Sequence, residues 1–326
     1  MNHRTNTAIP LLILAFVLAF LAGDRALALL GRAAAAKSHM PLAELYAGRG
    51  AGDILILGNS RAYRHFETTP LSDSTGLTVR NYALLGASTR LMQALLADYI
   101  DRYGPPKAVI LEISGLNAKA GPEISQRFYR HDSPRLDHLL RHASPELYYA
   151  GKISHLIDLN TDVFLNTLHK TVAPHPSILL HGTLDAATAT RIADQAKTPY
   201  FVIHPDNATA LQDITVLARQ RGITLIPVLT PILPQLRRQL PEIPNFIRAT
   251  AALSGAPVLD FTSLPLSEQD FADAVHLNAE GVAKFQNAFL KALPATLASA
   301  LASSSQRYRE ETAIAPLDGP PIDHDK

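Results

Sequence analysis

The sequence predicts an α/β protein with a doubly wound, mainly parallel five-stranded sheet, and three observations support this prediction. Five strand-like runs end in turn residues, as buried parallel strands do. Helical stretches stand between several of these runs, which favours right-handed crossovers and a sheet covered on both faces. The chain has 326 residues, enough for one large core after both termini are set aside.

The elements of the sheet follow one another along the chain. The predicted strands cover residues 53–57, 77–84, 108–113, 222–229 and 257–261. Apolar residues at helical spacing over 91–100 and 208–221 predict crossover helices before the third and fourth strands. We therefore expect a flavodoxin-like domain over 50–302.

Two regions stand outside this alternation. Residues 118–200 are rich in His, Tyr, Arg and Pro, and we interpret them as a helical insertion that shapes a cleft. Residues 303–326 have almost no apolar periodicity, so we expect a disordered tail.

The N-terminus carries a membrane-targeting signal. Residues 8–23 form an uninterrupted apolar run, preceded by His3 and Arg4. Two interpretations of segment 1–32 stay open: a retained signal anchor, or a signal peptide cleaved at the A-x-A site of 26–28.

Composition excludes several classes of function. The chain has no cysteine, which removes disulfides, thiolate nucleophiles and zinc–thiolate sites. A formal net charge of +1 argues against nucleic-acid binding. No phosphate-cradling glycine loop is present, and His138 and His142 lack a third ligand, so we expect neither cofactor nor metal.

One serine and one Asp–His pair are candidates for catalysis. Ser60 follows the first strand in Gly58-Asn59-Ser60-Arg61, at the sheet edge where α/β folds bind ligands. Asp273 and His276 lie three residues apart before the final helix, a spacing that lets the carboxylate reach Nδ1. Asn278 is the expected N-cap of that helix. This pattern predicts a Ser60–His276–Asp273 triad.

Further residues are expected around the triad. The backbone N–H groups of Ser60 and Gly86, with the Asn117 side chain, can face one oxyanion. Candidates for contact with an anionic or sugar substrate follow the nucleophile; they are Arg61, Arg64 and His65.

Four blocks in this order resemble the SGNH (GDSL-like) hydrolase superfamily: GNSR, the glycine after strand two, GLN and DAVHLN. The resemblance covers about residues 53–293, apart from the insertion. It implies Ser60 as nucleophile, His276 as base, Asp273 as its partner, and Gly86 and Asn117 as oxyanion donors. The chain departs from the family at Asn59 and Ala118, where many members have Asp.

These departures make the chain similar to membrane-anchored bacterial members of the superfamily. That similarity implies a serine esterase or O-acyltransferase acting on an acylated cell-envelope carbohydrate, with acetyl as the expected acyl group and a membrane-bound O-acyltransferase as a partner. The domain is then expected outside the cytoplasm, anchored, or secreted if the signal is cleaved. The alternative is a non-catalytic, membrane-anchored component of a polysaccharide-modifying complex. Water and a sugar hydroxyl both stay open as acyl acceptor.

Overall fold

The structure is a computed structural model that describes residues 8–119, 121–172, 178–196, 199–293 and 297. Its centre is a five-stranded sheet with strand order β2-β1-β3-β4-β5, in which each of these pairings is parallel. The strands are β1 (Ile54–Leu57), β2 (Val79–Asn81), β3 (Ala108–Glu112), β4 (Thr224–Leu229) and β5 (Leu259–Asp260). Each predicted run contains one strand, so the α/β class and the five-stranded parallel sheet are confirmed.

Helices fill the connections between the strands. Those with defined ends are α1 (Ala8–Ala35), α2 (Pro41–Tyr46), α3 (Ser60–His65), α4 (Thr68–Thr75), α5 (Thr89–Tyr103), α6 (Pro122–Ser125), α7 (Pro134–Ala143), α8 (Pro145–Ile153), α9 (Leu156–Leu159), α10 (Asp162–His169), α11 (Ala186–Asp194), α12 (Pro205–Gln220), α13 (Pro234–Arg237) and α14 (Ile243–Ser254). A further helix, α15, is described over 279–293. Short 3-10 helices cover Ile113–Asn117, Arg127–His131 and Glu268–Asp270.

Most of the predicted insertion lies within the described residues. The stretch 118–200 contains α6 to α11 and no strand among its described residues, although Leu180 makes an isolated bridge. The predicted tail, 303–326, lies outside the described residues.

The strand order reverses direction at β1. The connection from β1 runs to β2 on one side, whereas the connection from β2 returns past β1 to β3. Since crossovers between parallel strands follow a right-handed rule, this order is expected to place helices on both faces of the sheet. The crevice at the carboxyl ends of β1 and β3 is the switch point where such sheets bind ligands. Ser60 begins the helix after β1, and Asn117 ends the 3-10 helix after β3.

Both edge strands are shorter than predicted because, at their ends, side-chain oxygens rather than a neighbouring strand accept backbone N–H groups. The chain still runs beside β1 after Asn81, since the N–H of Tyr82 donates to Ile56 O. The Asn81 side-chain oxygen, however, accepts the N–H of Ala83 and turns the backbone. Asp260 acts in the same way at the end of β5.

A phenylalanine cluster joins α15 to the end of α3. The Phe66 ring packs edge-to-face on Phe285 and Phe289, and its centroid lies 5.2 and 5.1 Å from theirs. Phe261 also packs against Phe285 and Phe289. Phe66, Phe285 and Phe289 are fully buried. Because α15 follows the Asp273–His276 loop directly, this packing holds that loop beside α3.

Helix α1 extends beyond the apolar run. Its apolar section, Ile9–Ala35, has a mean hydropathy of 2.1 and is mostly unburied, and among the described residues it is the one helix long and apolar enough to cross a membrane. It continues as helix through Asp24 and Arg25. The length and hydropathy of α1 fit both a retained membrane anchor and a signal peptide.

Truncating Phe285 is expected to cost about 3–5 kcal/mol of unfolding free energy, because a buried ring leaves a cavity between α3 and α15. Urea unfolding of Phe285→Ala checks this expectation. Val216→Ala is the matched control, since Val216 is half exposed and should change stability by less than about 0.5 kcal/mol. Equal losses in both variants would contradict the role of the cluster.

Candidate active site

Ser60 lies at the first turn of α3, just after β1. The helix has Asn59 as its N-cap, and the Asn59 side-chain oxygen accepts the N–H of Arg61 at 3.0 Å. Gly58 lets the chain after β1 pass close to the end of β3, because a Cβ at position 58 would lie 2.8 Å from the Glu112 Cβ. The Ser60 side chain is therefore carried on a rigid, capped turn at the carboxyl edge of the sheet.

Asp273 and His276 form the pair that their spacing predicts. The Asp273 carboxylate lies 2.8 Å from His276 Nδ1 and accepts the backbone N–H groups of Val275 and His276, each at 2.9 Å. Partial burial acts to raise the pKa of Asp273, but the hydrogen bonds from the His276 ring and from Val275 outweigh it and lower the pKa. The carboxylate is thus ionised and keeps the ring proton on Nδ1.

The other ring nitrogen of His276 is buried and has no hydrogen-bond partner within the part of the chain that the structure describes. With Nδ1 protonated, Nε2 carries a lone pair and is the acceptor of the neutral imidazole. A buried acceptor without a partner is costly in a purely structural role. Nε2 is therefore the acceptor that the other residues of the candidate site leave unused.

Asn278 fixes the far end of this loop. Its side-chain oxygen accepts the N–H of Gly281 at 3.0 Å, which confirms it as the N-cap of α15. Its amide nitrogen donates to the carbonyl oxygens of Gln269 and Gly182, at 2.6 and 3.0 Å. Both ends of the His276 loop are consequently held in place.

His65 ties the His276 loop to the helix that begins with Ser60. Its Nε2 accepts the backbone N–H of Leu277 at 3.0 Å, and its ring meets the His276 ring edge-on, with centroids 6.2 Å apart. Burial, reinforced by the positive charge of Arg61, holds the pKa of His65 well below its ordinary value. A neutral ring is what this bond requires, because a protonated Nε2 cannot accept.

Arg61 is buried beneath the nucleophile. Its Nη2 donates to the carbonyl oxygens of Thr230 and Pro231, at 2.6 and 2.8 Å, just beyond β4. Its Nε lies 3.9 Å from Glu112 Oε1 at the end of β3. One guanidinium therefore links α3 to the ends of two strands.

A hydrogen-bond chain connects this charge pair to Asn59. The Asn59 amide donates to Ser114 Oγ at 2.8 Å, and the Ser114 hydroxyl donates to Glu112 Oε2 at 2.6 Å. Burial raises the pKa of Glu112, with Arg61 opposing the shift. An amide at position 59 suits this chain because Ser114 has already given its proton to Glu112 and needs a donor.

Arg61 and His65, predicted as substrate contacts, are placed by the structure below the surface. Both side chains are buried and point at backbone partners, so neither is presented to a ligand that arrives from solvent. Arg64 is partly buried, donates to the carbonyl oxygen of Ile178 at 2.8 Å and lies over the Tyr63 ring. The structure therefore gives all three residues a part in holding the site together.

The expected oxyanion donors lie on separate loops. Gly86 is exposed in the turn after β2 with φ +71°, which glycine adopts without strain. The Asn117 amide donates to the carbonyl oxygen of Tyr200 at 2.7 Å, which uses one of its two N–H groups. The second N–H group of Asn117 is the one left for an oxyanion.

Tyr200, whose carbonyl oxygen accepts the Asn117 amide, adjoins the candidate site and was not predicted from the sequence. Burial raises the pKa of its hydroxyl, Arg61 opposes the shift, and the negative charges of Glu112 and Asp273 add to it. Its backbone N–H donates to Glu242 Oε1 at 2.6 Å. The adjacent aromatic pair Tyr200-Phe201 at the end of the predicted insertion was the available signal.

The end of the insertion lines the His276 loop. Leu180 forms an isolated parallel bridge with Asn278, and the N–H of Leu184 donates to the carbonyl oxygen of Phe271 at 3.1 Å. The insertion is therefore part of the wall around the candidate triad.

The His138 and His142 rings lie 4.5 Å apart on α7. Within the described ranges, no group of three His, Cys, Asp or Glu residues is placed to hold a metal ion.

Comparison with known proteins gives no relative: neither a protein-family model nor a curated protein matches this chain. Its function therefore has to be argued from the geometry of the site and from the order of its motifs.

Replacing Asn59 by Asp is expected to lower the unfolding free energy by about 1–3 kcal/mol, measured in urea. The Asp side chain still caps α3, but it removes the donor to Ser114 Oγ and adds a charge near buried Glu112.

Asn59→Asp combined with Glu112→Gln is the companion variant. With Gln at position 112, the Ser114 hydroxyl is free to donate to the new carboxylate at position 59. The double variant should therefore lose less stability than the sum of the two single variants. Strict additivity would show that this hydrogen-bond chain does not couple the two residues.

Proposed function

We propose that this chain is a serine esterase or O-acyltransferase of the SGNH type, working through an acyl-enzyme on Ser60. The observation that supports it most is His276. Its Nδ1 is held by Asp273, its Nε2 is unpartnered, and its loop is bonded through His65 to the helix that Ser60 begins. Acyl-transfer chemistry needs a nucleophile within reach of such a base, and we assign this role to Ser60 at the first turn of α3. Ser60 Oγ makes no hydrogen bond to His276 Nε2 in the structure, so the proposed contact forms when substrate binds.

The first half of the reaction transfers the acyl group to the enzyme. His276 Nε2 takes the Ser60 hydroxyl proton as Oγ bonds to the carbonyl carbon, and the carbonyl oxygen becomes an oxyanion. The N–H groups of Ser60 and Gly86 and the free N–H of Asn117 are the proposed donors to it. When the tetrahedral intermediate collapses, the bond to the leaving alcohol breaks and imidazolium returns the proton to that alcohol.

The second half releases the acyl group. His276 takes a proton from the acceptor, whose oxygen attacks the acyl carbon and displaces Ser60 Oγ, which regains the proton. Water as acceptor gives an esterase, and a sugar hydroxyl gives a transferase. Asp273 stays ionised throughout and stabilises the imidazolium.

The substrate class rests on the resemblance to membrane-anchored bacterial SGNH proteins. We propose an acylated carbohydrate of the cell envelope, with acetyl as the acyl group and with the domain outside the cytoplasm. A membrane-bound O-acyltransferase is the proposed partner that supplies acyl groups. The apolar helix α1 is consistent with work at a membrane.

Ser60→Ala is expected to reduce hydrolysis of p-nitrophenyl acetate by at least about 10⁴-fold, because the nucleophile is lost. A fluorophosphonate should add its mass to the wild-type chain and not to this variant, as read by intact mass spectrometry. Ser74→Ala is the matched control, since Ser74 is exposed on α4 and should leave both readouts unchanged. Absence of labelling in the wild-type chain would favour the non-catalytic alternative.

Asp273→Asn is expected to lower kcat by roughly a thousandfold or more with KM little changed. The new carbonyl oxygen can still accept the N–H groups of Val275 and His276, so the turn survives. The amide, however, donates to Nδ1 and drives the ring proton onto Nε2, which then cannot act as base.

Asp206→Asn is the charge-matched control for this experiment, because Asp206 is an exposed residue that pairs with Arg90 on the surface. It should leave kcat unchanged. Equal kcat values for the Asp273 and Asp206 variants would remove Asp273 from the catalytic machinery.

A further inference from the structure

Two charged residues of α1 are satisfied by the insertion rather than by water. The Asp24 carboxylate is almost fully buried; it accepts the backbone N–H of His155 at 2.8 Å, that of Leu156 at 3.3 Å and the hydroxyl of Ser154. These donors lie at the start of α9, where a negative charge is favourable.

Arg25 makes the complementary contact with the preceding helix. It donates to the carbonyl oxygens of Lys152 and Ile153 at the end of α8, at 3.1 and 2.9 Å, and pairs with Asp24 at 2.6 Å. The α8–α9 junction is therefore fixed at the level of residues 24 and 25 of α1.

The rest of the contact between α1 and the insertion is close-packed. Ala28 and Ala35 are buried, and a Cβ on Gly31 would lie 2.8 Å from Leu159 Cδ1 and 3.1 Å from Phe164 Cζ. Small residues on this face let α9 and α10 pack directly against the α1 backbone. The second half of α1 is thus part of the folded domain.

The length of α1 sets where this junction lies relative to a bilayer. A helix needs about 20 residues to cross a hydrocarbon core of about 30 Å. The apolar run 8–23 falls short of this, so a span that begins at Ala8 ends near Leu27 and includes Asp24 and Arg25. Both charges are already hydrogen-bonded to the α8–α9 junction, so they can lie at the membrane interface. The α8–α9 junction must then lie at the interface as well.

The junction presents apolar side chains at that level. Ile153 is 69% exposed, Tyr149 one turn earlier on α8 is 57% exposed, and Leu156 is 37% exposed. Tyrosine beside aliphatic residues is typical of a surface that lies in the headgroup region. These three residues are called the junction patch.

We propose that α1 is retained as an anchor and that the junction patch rests in the bilayer interface, so that the insertion docks the domain on the membrane. The partner is the lipid surface itself. Removal of residues up to 28 would take away Asp24 and Arg25 and leave the ends of α8 and α9 without these contacts. The proposal does not depend on catalysis at Ser60.

The chain has no tryptophan, so one introduced tryptophan reports its own surroundings. The full chain is reconstituted in phosphatidylcholine–phosphatidylglycerol vesicles, with or without lipids brominated near the headgroup end of the acyl chain. Ile153→Trp should lose severalfold more emission to the brominated lipids than Val216→Trp. Val216 is an equally apolar, exposed site on α12.

Leu14→Trp, within the apolar run, reports whether α1 is inserted. Quenching of Leu14→Trp without quenching of Ile153→Trp would overturn docking, and quenching of neither would overturn retention of the anchor. A blue-shifted but unquenched Ile153→Trp would show that position 153 is buried in protein rather than in lipid and would also overturn the proposal. Intact mass of membrane-extracted chain should include residues 1–28, and its absence would contradict retention.

Discussion

The buried charge pair of Arg61 and Glu112 is the constraint on which the rest of the site depends. A charge removed from water is costly unless a counter-charge and hydrogen bonds compensate it. Arg61 Nη2 donates to two carbonyl oxygens beyond β4, its Nε lies 3.9 Å from Glu112 Oε1 without a hydrogen bond, and Glu112 accepts the hydroxyl of Ser114. These contacts therefore fix the relative positions of the ends of β1, β3 and β4. A shift of any of these strand ends would remove hydrogen bonds from a buried charge.

This arrangement explains why the nucleophile candidate stands on a rigid turn. Asn59 joins the charge pair through Ser114 and caps α3 with its other side-chain atom. The base is fixed by a second, independent set of contacts, in which neutral His65 accepts the N–H of Leu277. The two sets meet on α3, which therefore connects the Ser60 turn to the loop that carries His276.

The sequence predicted the scaffold better than the surroundings of the site. Apolar runs located every strand, and the spacing of Asp273, His276 and Asn278 correctly predicted both the carboxylate–imidazole contact and the helix cap. These are local features, readable within a few residues. The edge strands came out shorter because the Asn81 and Asp260 side chains compete for backbone N–H groups, which an apolar pattern does not register.

The partners of Arg61 and His65 could not be predicted from the sequence, for the opposite reason. Polar residues near a nucleophile are expected to face a substrate, whereas their partners here lie at Thr230 and Leu277, far along the chain. Tyr200 was missed in the same way, since only the folded chain brings it near Asp273. Long-range contacts of this kind have no signature in the spacing of residues.

The insertion contacts both α1 and the loop that carries His276, and it therefore links these two parts of the structure. Its α8–α9 junction holds Asp24 of α1, and its Leu180 pairs with Asn278 beside the His276 loop. If α1 enters a membrane, the insertion connects the membrane helix to the loop that carries His276. A substrate held at the membrane surface would then meet the site in a fixed orientation, which reduces the entropy lost on binding.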